Sequence, residues 1–168
     1  MRQIVEPKKR IISFLPVLFM MVLIFGFSSQ NSDVSGAQSS GITKELLEDI
    51  GRLVPSLKAQ WNPSTFELIE TIVRKLAHCT EYALLGISLN YHLHVCGNDK
   101  RRRILKSIFW GVFYAATDEF HQLFVSGRSG QFSDVCIDGI GVLLGSMIFL
   151  VSLNLKNRIG QRKKHFKN

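Results

Sequence analysis

The sequence predicts an all-α integral membrane protein, a four-helix bundle with a short amphipathic helix in the loop on its outer side. The first observation is a set of four apolar runs that are almost free of charge, at residues 11–27, 76–95, 104–125 and 135–155. Each is about 17 to 22 residues long, enough at 1.5 Å per residue to cross a hydrocarbon core of roughly 30 Å. A chain of 168 residues predicts a single domain, and such runs exclude an intrinsically disordered chain.

The second observation is the placement of the charges, whose sum is +8. The N-terminal flank, the connection 96–106 and the tail 156–168 hold most of the Lys and Arg residues and only two acids, Glu6 and Asp99. This positive-inside pattern predicts a multi-pass cell-membrane protein with both termini in the cytoplasm. Topology thus explains the basic charge, and with no nucleic-acid-binding module in the sequence we expect no nucleic-acid partner.

The first run, residues 11–27, follows Arg2, Lys8, Lys9 and Arg10. A secretory signal peptide has the same order of charge and apolar residues, but its apolar core is usually shorter and a small-residue cleavage site follows it. A second alternative applies to all four runs, namely that they are buried helices of a soluble bundle. The length of the runs and the placement of the charges favour membrane spans over both.

The loop at residues 28–73 is the only long connection. It is rich in Ser and Gly up to Gly41, and residues 42–54 (ITKELLEDIGRLV) then show the spacing of a short amphipathic helix that ends before Pro55. Asn62 followed by Pro63 is a typical helix start. From Pro63 the helical pattern continues into the second run, which predicts one long helix.

Ionisable residues inside the runs are the strongest functional signal, because each costs about 2.5–3.5 kcal/mol on insertion. Helical spacing puts Lys75, His78, Glu81 and Tyr82 on one face, and Asp118 one turn from Gln122. The fourth run begins with Asp134 and Asp138, followed on the same stripe by Gly141 and Gly145, whose GxxxG spacing permits close helix contact. The predicted topology places all these groups near the outer interface, together with Arg128 and the end of the first run, so we predict one site.

The chemistry available to this site is acid–base catalysis and anion binding. Carboxylates beside a histidine act as general acids and bases, and two cations clamp a phosphate or carboxylate. The catalytic candidates are His78, Glu81, Asp118, Glu119 and Asp138; the substrate-binding candidates are Ser29, Gln30, Arg74, Lys75, Tyr82, Gln122, Arg128 and Asp134. Within these sets, His78 with Glu81 is the predicted base pair, and Arg128 with Lys75 the anion clamp.

Two other interpretations of the ionisable residues stay open, a metal site and a structural ion network. A divalent metal is a possible cofactor, although no HxxxH or HExxH spacing is present. The charged side chains also fit a structural network in which Arg74, Lys75 and Arg128 neutralise the acids. The three cysteines form no CxxC pair, which excludes a disulfide scaffold and a zinc ribbon.

Four blocks of the sequence carry a resemblance to a known family. The blocks are FSSQ at 27–30, RKLAHCTEY at 74–82, DEFHQLFVSGRSG at 118–130 and DVCIDGIGVLLG at 134–145. In this order and spacing they resemble the VanZ-like family over about residues 11 to 155. The resemblance implies a small multi-span bacterial membrane protein, and the name-giving member is associated with lowered susceptibility to the glycopeptide antibiotic teicoplanin.

The family's recurrent positions correspond here to the site residues named above and to Gly141, and an amide is also accepted where Asp138 stands. The resemblance supplies no established reaction, so whether the protein is an enzyme is left open. We expect an outer-facing pocket that binds an envelope lipid or cell-wall precursor, and whether the pocket also alters the bound molecule chemically is left open. The alternatives are a small transporter or proton relay, which the apolar inner halves of the spans disfavour, and a non-catalytic partner of another membrane protein or of a glycopeptide.

Overall fold

The structure, a computed structural model, describes residues 6–58 and 61–165, and all of its regular elements in these ranges are helices. They are α1 (Pro7–Ser28), α2 (Ser32–Leu53), the single turn α3 (Pro55–Lys58), α4 (Pro63–Val95), α5 (Lys100–Gln122) and α6 (Phe132–His165). The predicted all-α class is therefore confirmed.

Two of these helices are long and apolar enough to cross a membrane: α1, and α6 over Phe132–Gln161. Their most apolar stretches reach mean hydropathies of 2.5 and 2.1. Within the described residues, α4 and α5 do not pass the same test. Both helices contain the polar residues of the predicted site, and α5 also begins with Lys100 and three arginines. Composition thus leaves the four-span bundle unconfirmed.

Helix α4 is the centre of the fold, because α1, α2, α5 and α6 all pack against it. It begins as predicted: the Asn62 side chain accepts a hydrogen bond from the Thr65 N–H at 2.8 Å, and Pro63 takes the first helical position. Its fully buried Tyr82 and Leu85 lie in one apolar core with Ile24 of α1.

The GxxxG stripe of α6 brings its backbone against α4. Gly141 lies on the carbonyl group of Cys79, and Gly145 lies one turn further on, against Ala83. From the opposite side, a Cβ at Gly86 would stand 2.5 Å from the Val142 carbonyl oxygen. The small residues therefore let the two helices approach to backbone contact, as the spacing predicted.

The outer loop differs from its prediction, because α2 begins at Ser32 and not at Ile42. The Asn31 side chain caps the helix by accepting the Val34 N–H at 3.0 Å. The hydroxyls of Ser39 and Ser40 donate to the Glu70 carboxylate of α4, at 3.0 and 2.7 Å. A cap and a partner on another helix thus make a helix of a Ser/Gly-rich segment that by composition reads as loop.

Most of the predicted apolar stripe of α2 does not pack on the rest of the protein. Its buried residues are Ser39, Thr43, Leu47 and Gly51. Ile42, Leu46 and Leu53 of the stripe are exposed instead. Small residues and Leu47 face α4, where Ser39, Thr43 and Gly51 permit close contact, and the side chains of Ile42, Leu46 and Leu53 are left on the outside of the helix.

Candidate functional site

A small polar cavity lies where α4, the C-terminal end of α5 and the start of α6 meet. Its volume is about 100 Å³, smaller than the roughly 150 Å³ that holds a benzene ring. The predicted site residues that line it are Arg74, Lys75, His78, Gln122, Arg128, Asp134 and Asp138. This space matches a small polar group and not a large molecule.

A side cavity of about 450 Å³ adjoins the polar cavity and opens beneath α2. The two cavities share four lining residues, Ser35, Arg74, His78 and Arg128. Of the predicted residues, Gln30 and Glu81 line only the side cavity. Much of its remaining wall is apolar, from Phe27, Ile42, Val73 and Ala77.

The positions of Arg74 and Lys75 on α4 separate their roles. Lys75 donates to Asp134 of α6, with both side chains about one third exposed. Arg74, the preceding residue, lines both cavities and has no ion pair or hydrogen bond among the described residues. Lys75 therefore joins two helices, whereas the Arg74 guanidinium is available to a ligand. The predicted anion clamp paired Arg128 with Lys75; the structure favours Arg74 as the second cation.

Arg128, in the connection between α5 and α6, is fixed by three hydrogen bonds. It donates to the carbonyl oxygens of Gln30 at 2.9 Å and Phe27 at 3.3 Å, and to the Gln122 amide oxygen at 3.5 Å. A cation beside the C-terminal carbonyl groups of α1 interacts favourably with the negative end of that helix's dipole. Burial, and then the neighbouring Arg74, lower the pKa of Arg128, while Asp118, Glu119 and Glu81 raise it. An arginine nonetheless stays charged.

His78 faces Asp138 across the α4–α6 contact. Its Nδ1 stands 4.0 Å from Asp138 Oδ1, and the Asp138 side chain is completely buried. Neither Asp138 oxygen has a hydrogen-bond partner among the described residues. Glu81, the predicted partner of His78, instead lines the side cavity. The two groups lie within ion-pair distance but make no hydrogen bond, so the structure places His78 as a candidate base beside a buried acid.

The acids of α5 lie behind the cavity wall. Glu119 accepts from Gln122 of its own helix at 3.1 Å with one oxygen, and from the backbone N–H of Gln131 at 2.9 Å with the other, which holds the α5–α6 connection. Asp118 is contacted by Gln122 at 3.4 Å, and its second oxygen has no partner in the described part of the chain. Neither acid lines the polar cavity or the side cavity. The structure thus places Glu119 as a positioning residue.

Ser29 and Tyr82 are not brought to either cavity. The Ser29 hydroxyl donates to the Phe25 carbonyl of its own helix at 2.6 Å, on an exposed surface. Tyr82 is fully buried, with its ring 6.2 Å from that of Tyr114. Its hydroxyl has no hydrogen-bond partner among residues 6–58 and 61–165.

Buried polar atoms that have no hydrogen-bond partner in the described part of the chain are concentrated around the polar cavity. Five of the ten belong to His78, Tyr82, Asp118 and Asp138, from three different helices, whereas Asn90 Oδ1 and Arg103 Nε lie toward the other end of the bundle. Most buried polar groups in folded proteins are paired, and exceptions are typical of functional sites. The concentration of such atoms at one end of the bundle favours a functional site over a purely structural ion network.

The geometry does not fit a metal centre. Among the residues that the structure describes, no three His, Cys, Asp or Glu side chains are arranged to hold a metal ion. Lys75 pairs with Asp134, and Glu119 is used by the α5–α6 connection.

Sequence reasoning missed Ser35, which lines both cavities, and Gln131, which lines the polar cavity. Ser35 was overlooked because its segment reads as a loop. An Asn31 cap followed by Asp33 in the first turn is the signal that predicts the earlier helix start.

The fold and the site define a class: a helical protein with two helices able to cross a membrane and a cluster of buried polar residues at one end of the bundle. The VanZ/LLP1 family model matches residues 13–153. The chain belongs to this family, and the resemblance seen in its sequence is confirmed at that level, including the family's association with resistance. No curated protein and no solved structure matches it.

Proposed function

We propose that this VanZ-like protein is a multi-pass cell-membrane protein in which α1, α4, α5 and α6 cross the bilayer. Large apolar side chains exposed on α5 support this, with Phe109, Phe113 and Phe120 between 55% and 63% exposed. Exposed apolar surface of this kind is typical of a membrane contact. The acids that lower the hydropathy of α5, Asp118 and Glu119, are buried in the bundle.

The same arrangement supports an outer-facing site with both termini in the cytoplasm. The end of α1, the end of α5 and the start of α6 come together around the cavities. The basic segment that begins α5, residues 100–103, is at the other end of that helix. By the positive-inside rule the basic end is cytoplasmic, which directs the cavities outward.

The function that this site supports best is binding of the anionic head group of an envelope lipid or cell-wall precursor. The observation that carries it is the pair of guanidinium groups, Arg74 and Arg128, on the shared wall of the two cavities. Arginine binds phosphate and carboxylate oxygens through paired N–H donors. The 100 Å³ of the polar cavity suits a group of that size.

Arg74→Gln tests this binding function. We expect the variant to bind phosphatidylglycerol about 10 to 100 times more weakly than the parent protein, because a charge-assisted hydrogen bond contributes about 1.5–3 kcal/mol. The measurement is a lipid titration of the purified protein in a neutral detergent, followed by native mass spectrometry.

The matched control is Arg52→Gln on α2, whose side chain is 75% exposed and pairs only with its own helix. It should bind like the parent protein. Equal binding of phosphatidylcholine and phosphatidylglycerol by the parent protein, or unchanged binding in Arg74→Gln, would contradict the proposal.

A second candidate, hydrolysis of the bound head group, is favoured by the His78–Asp138 pair. In this reaction His78 takes a proton from water, the hydroxide attacks the ester phosphorus, and the leaving alkoxide receives that proton. We expect His78→Ala to lower the release of phosphate or alcohol by about 10² to 10⁴, because the substitution removes the general base that takes the proton from water.

Phosphorus NMR of lipid incubated with the purified protein measures this turnover. Asp33→Asn, an exposed acid on α2, is the control and should keep the parent rate. If the parent protein releases no product, the function is binding alone.

Transport is the less favoured alternative, although the interior below the site is not wholly apolar. Asn90, Ser107 and Ser146 form a buried hydrogen-bonded group lower in the bundle. The fully buried Leu85 and Val142 pack in the core on the same two helices as Asn90 and Ser146, one turn or so nearer the site. These apolar side chains separate the two polar groups, so a continuous relay is not supported.

A further inference from the structure

We infer that the ligand is an anionic membrane lipid whose hydrocarbon tail occupies the side cavity while its head group occupies the polar cavity. This inference rests on the proposed head-group binding and adds to it a tail site with α2 as its roof. It therefore selects a lipid over a water-soluble wall fragment.

The two cavities adjoin at four shared lining residues and differ in polarity. The polar cavity is walled by charged and amide side chains, whereas Phe27, Ile42, Val73 and Ala77 form much of the side-cavity wall. Arg74, His78 and Arg128 stand between them. A molecule that fills both spaces has an anionic end and an apolar remainder, which is the definition of an anionic amphiphile.

Residues one position apart on α4 differ in the cavities that they line, and so would contact different ends of such a ligand. Val73 and Ala77 are one turn apart and line only the side cavity, whereas Arg74 and His78, displaced by one residue each, line both cavities. The Arg74 guanidinium thus stands at the boundary between the two cavities, where a lipid carries its phosphate.

The volumes agree with this division. The side cavity, at about 450 Å³, is more than four times the size of the polar cavity and within the 300–1,000 Å³ range of small-molecule sites. A phosphate-sized head alone leaves this larger space empty. Apolar surface removed from water there adds binding energy that a soluble phosphate cannot supply.

The exposed apolar stripe of α2 supplies the path by which a tail leaves the cavity. Ile42 lines the side cavity and is 56% exposed; Leu46, one turn further along, is also exposed. This pair continues the apolar wall of the cavity to the surface of the protein. In this arrangement the rest of the lipid tail covers the exposed side chains of Ile42 and Leu46.

Ala77→Trp tests the tail site, because Ala77 is exposed to the side cavity and a large ring there fills it without entering the core. We expect phosphatidylglycerol to bind about tenfold more weakly, while binding of glycerol phosphate, which has no tail, stays within about twofold of the parent. Native mass spectrometry measures the lipid and calorimetry the soluble phosphate. Val73→Asn, which makes the same wall polar, should give the same selective loss.

Leu76→Trp is the matched control, since Leu76 is 60% exposed on the same helix and lines neither cavity. It should bind both probes like the parent. An equal change in both probes, or no change, in Ala77→Trp and Val73→Asn would overturn the tail site and leave head-group binding in place. If the parent protein binds neither phosphatidylglycerol nor glycerol phosphate, head-group binding itself is wrong.

Discussion

Gly145→Val is expected to disrupt the packing of α4 on α6, with a loss of about 3 kcal/mol in the free energy of unfolding. A Cβ at this position would meet the Ala83 backbone, with the carbonyl carbon at 2.7 Å and the Cα at 2.9 Å. Backbone atoms inside two packed helices cannot move aside as a flexible side chain can. The helices must separate, and the contacts of the neighbouring Gly141 and Gly86 are lost with them.

Thermal unfolding of the protein in detergent measures this effect. A loss of that size corresponds to a fall of about 10 °C in the unfolding midpoint for a chain of this length. Gly26→Val is the matched control, because a Cβ at Gly26 has nothing within 4 Å. An unchanged midpoint in Gly145→Val would mean that α4 and α6 do not meet at backbone distance.

Arg128→Gln is expected to weaken both the fold and the binding of anionic lipid. The substitution removes hydrogen bonds to the carbonyls of Phe27 and Gln30 and to the Gln122 side chain. Because Arg128 is only partly buried, we expect a loss of about 2 kcal/mol in unfolding free energy. Binding of phosphatidylglycerol should fall at least about tenfold, since one of the two guanidinium groups is gone.

Arg128→Lys separates the two effects. Lysine keeps the positive charge but lacks the planar fork that reaches two carbonyls at once. It should recover part of the lipid binding and little of the stability. Thermal unfolding and lipid titration of the parent protein, Arg128→Gln and Arg128→Lys measure this. If Arg128→Lys recovers stability and lipid binding equally, the positive charge alone explains both effects of Arg128.

Several local features followed from the sequence because they depend on neighbouring residues. The start of α4 at Asn62 and Pro63 was predicted from capping chemistry, and the structure has it there. The close contact along Gly141 and Gly145 was predicted from residue size and spacing. Capping needs only residues within one turn, and a stripe of small residues on a helix is fixed by the helical repeat.

The outer loop shows where this reasoning stops. Propensity describes Ser39 and Ser40 as poor helix formers, but both donate to Glu70, thirty residues further along the chain. Contact with another helix outweighed a local preference of a few tenths of a kcal/mol per residue. The same contact turned the small residues of α2 inward and left Ile42 and Leu46 outside.

The sequence by itself determined which residues are ionisable, how they are spaced on their helices and to which family the chain belongs. Only the tertiary structure decided the partners: Asp134 for Lys75, Asp138 for His78, and the end of α1 for Arg128. Helical periodicity fixes the face on which a side chain lies, but not the rotation and depth at which two helices pack. These two quantities depend on the fit of whole surfaces, and they leave Arg74 facing the cavities as the cation available to a ligand.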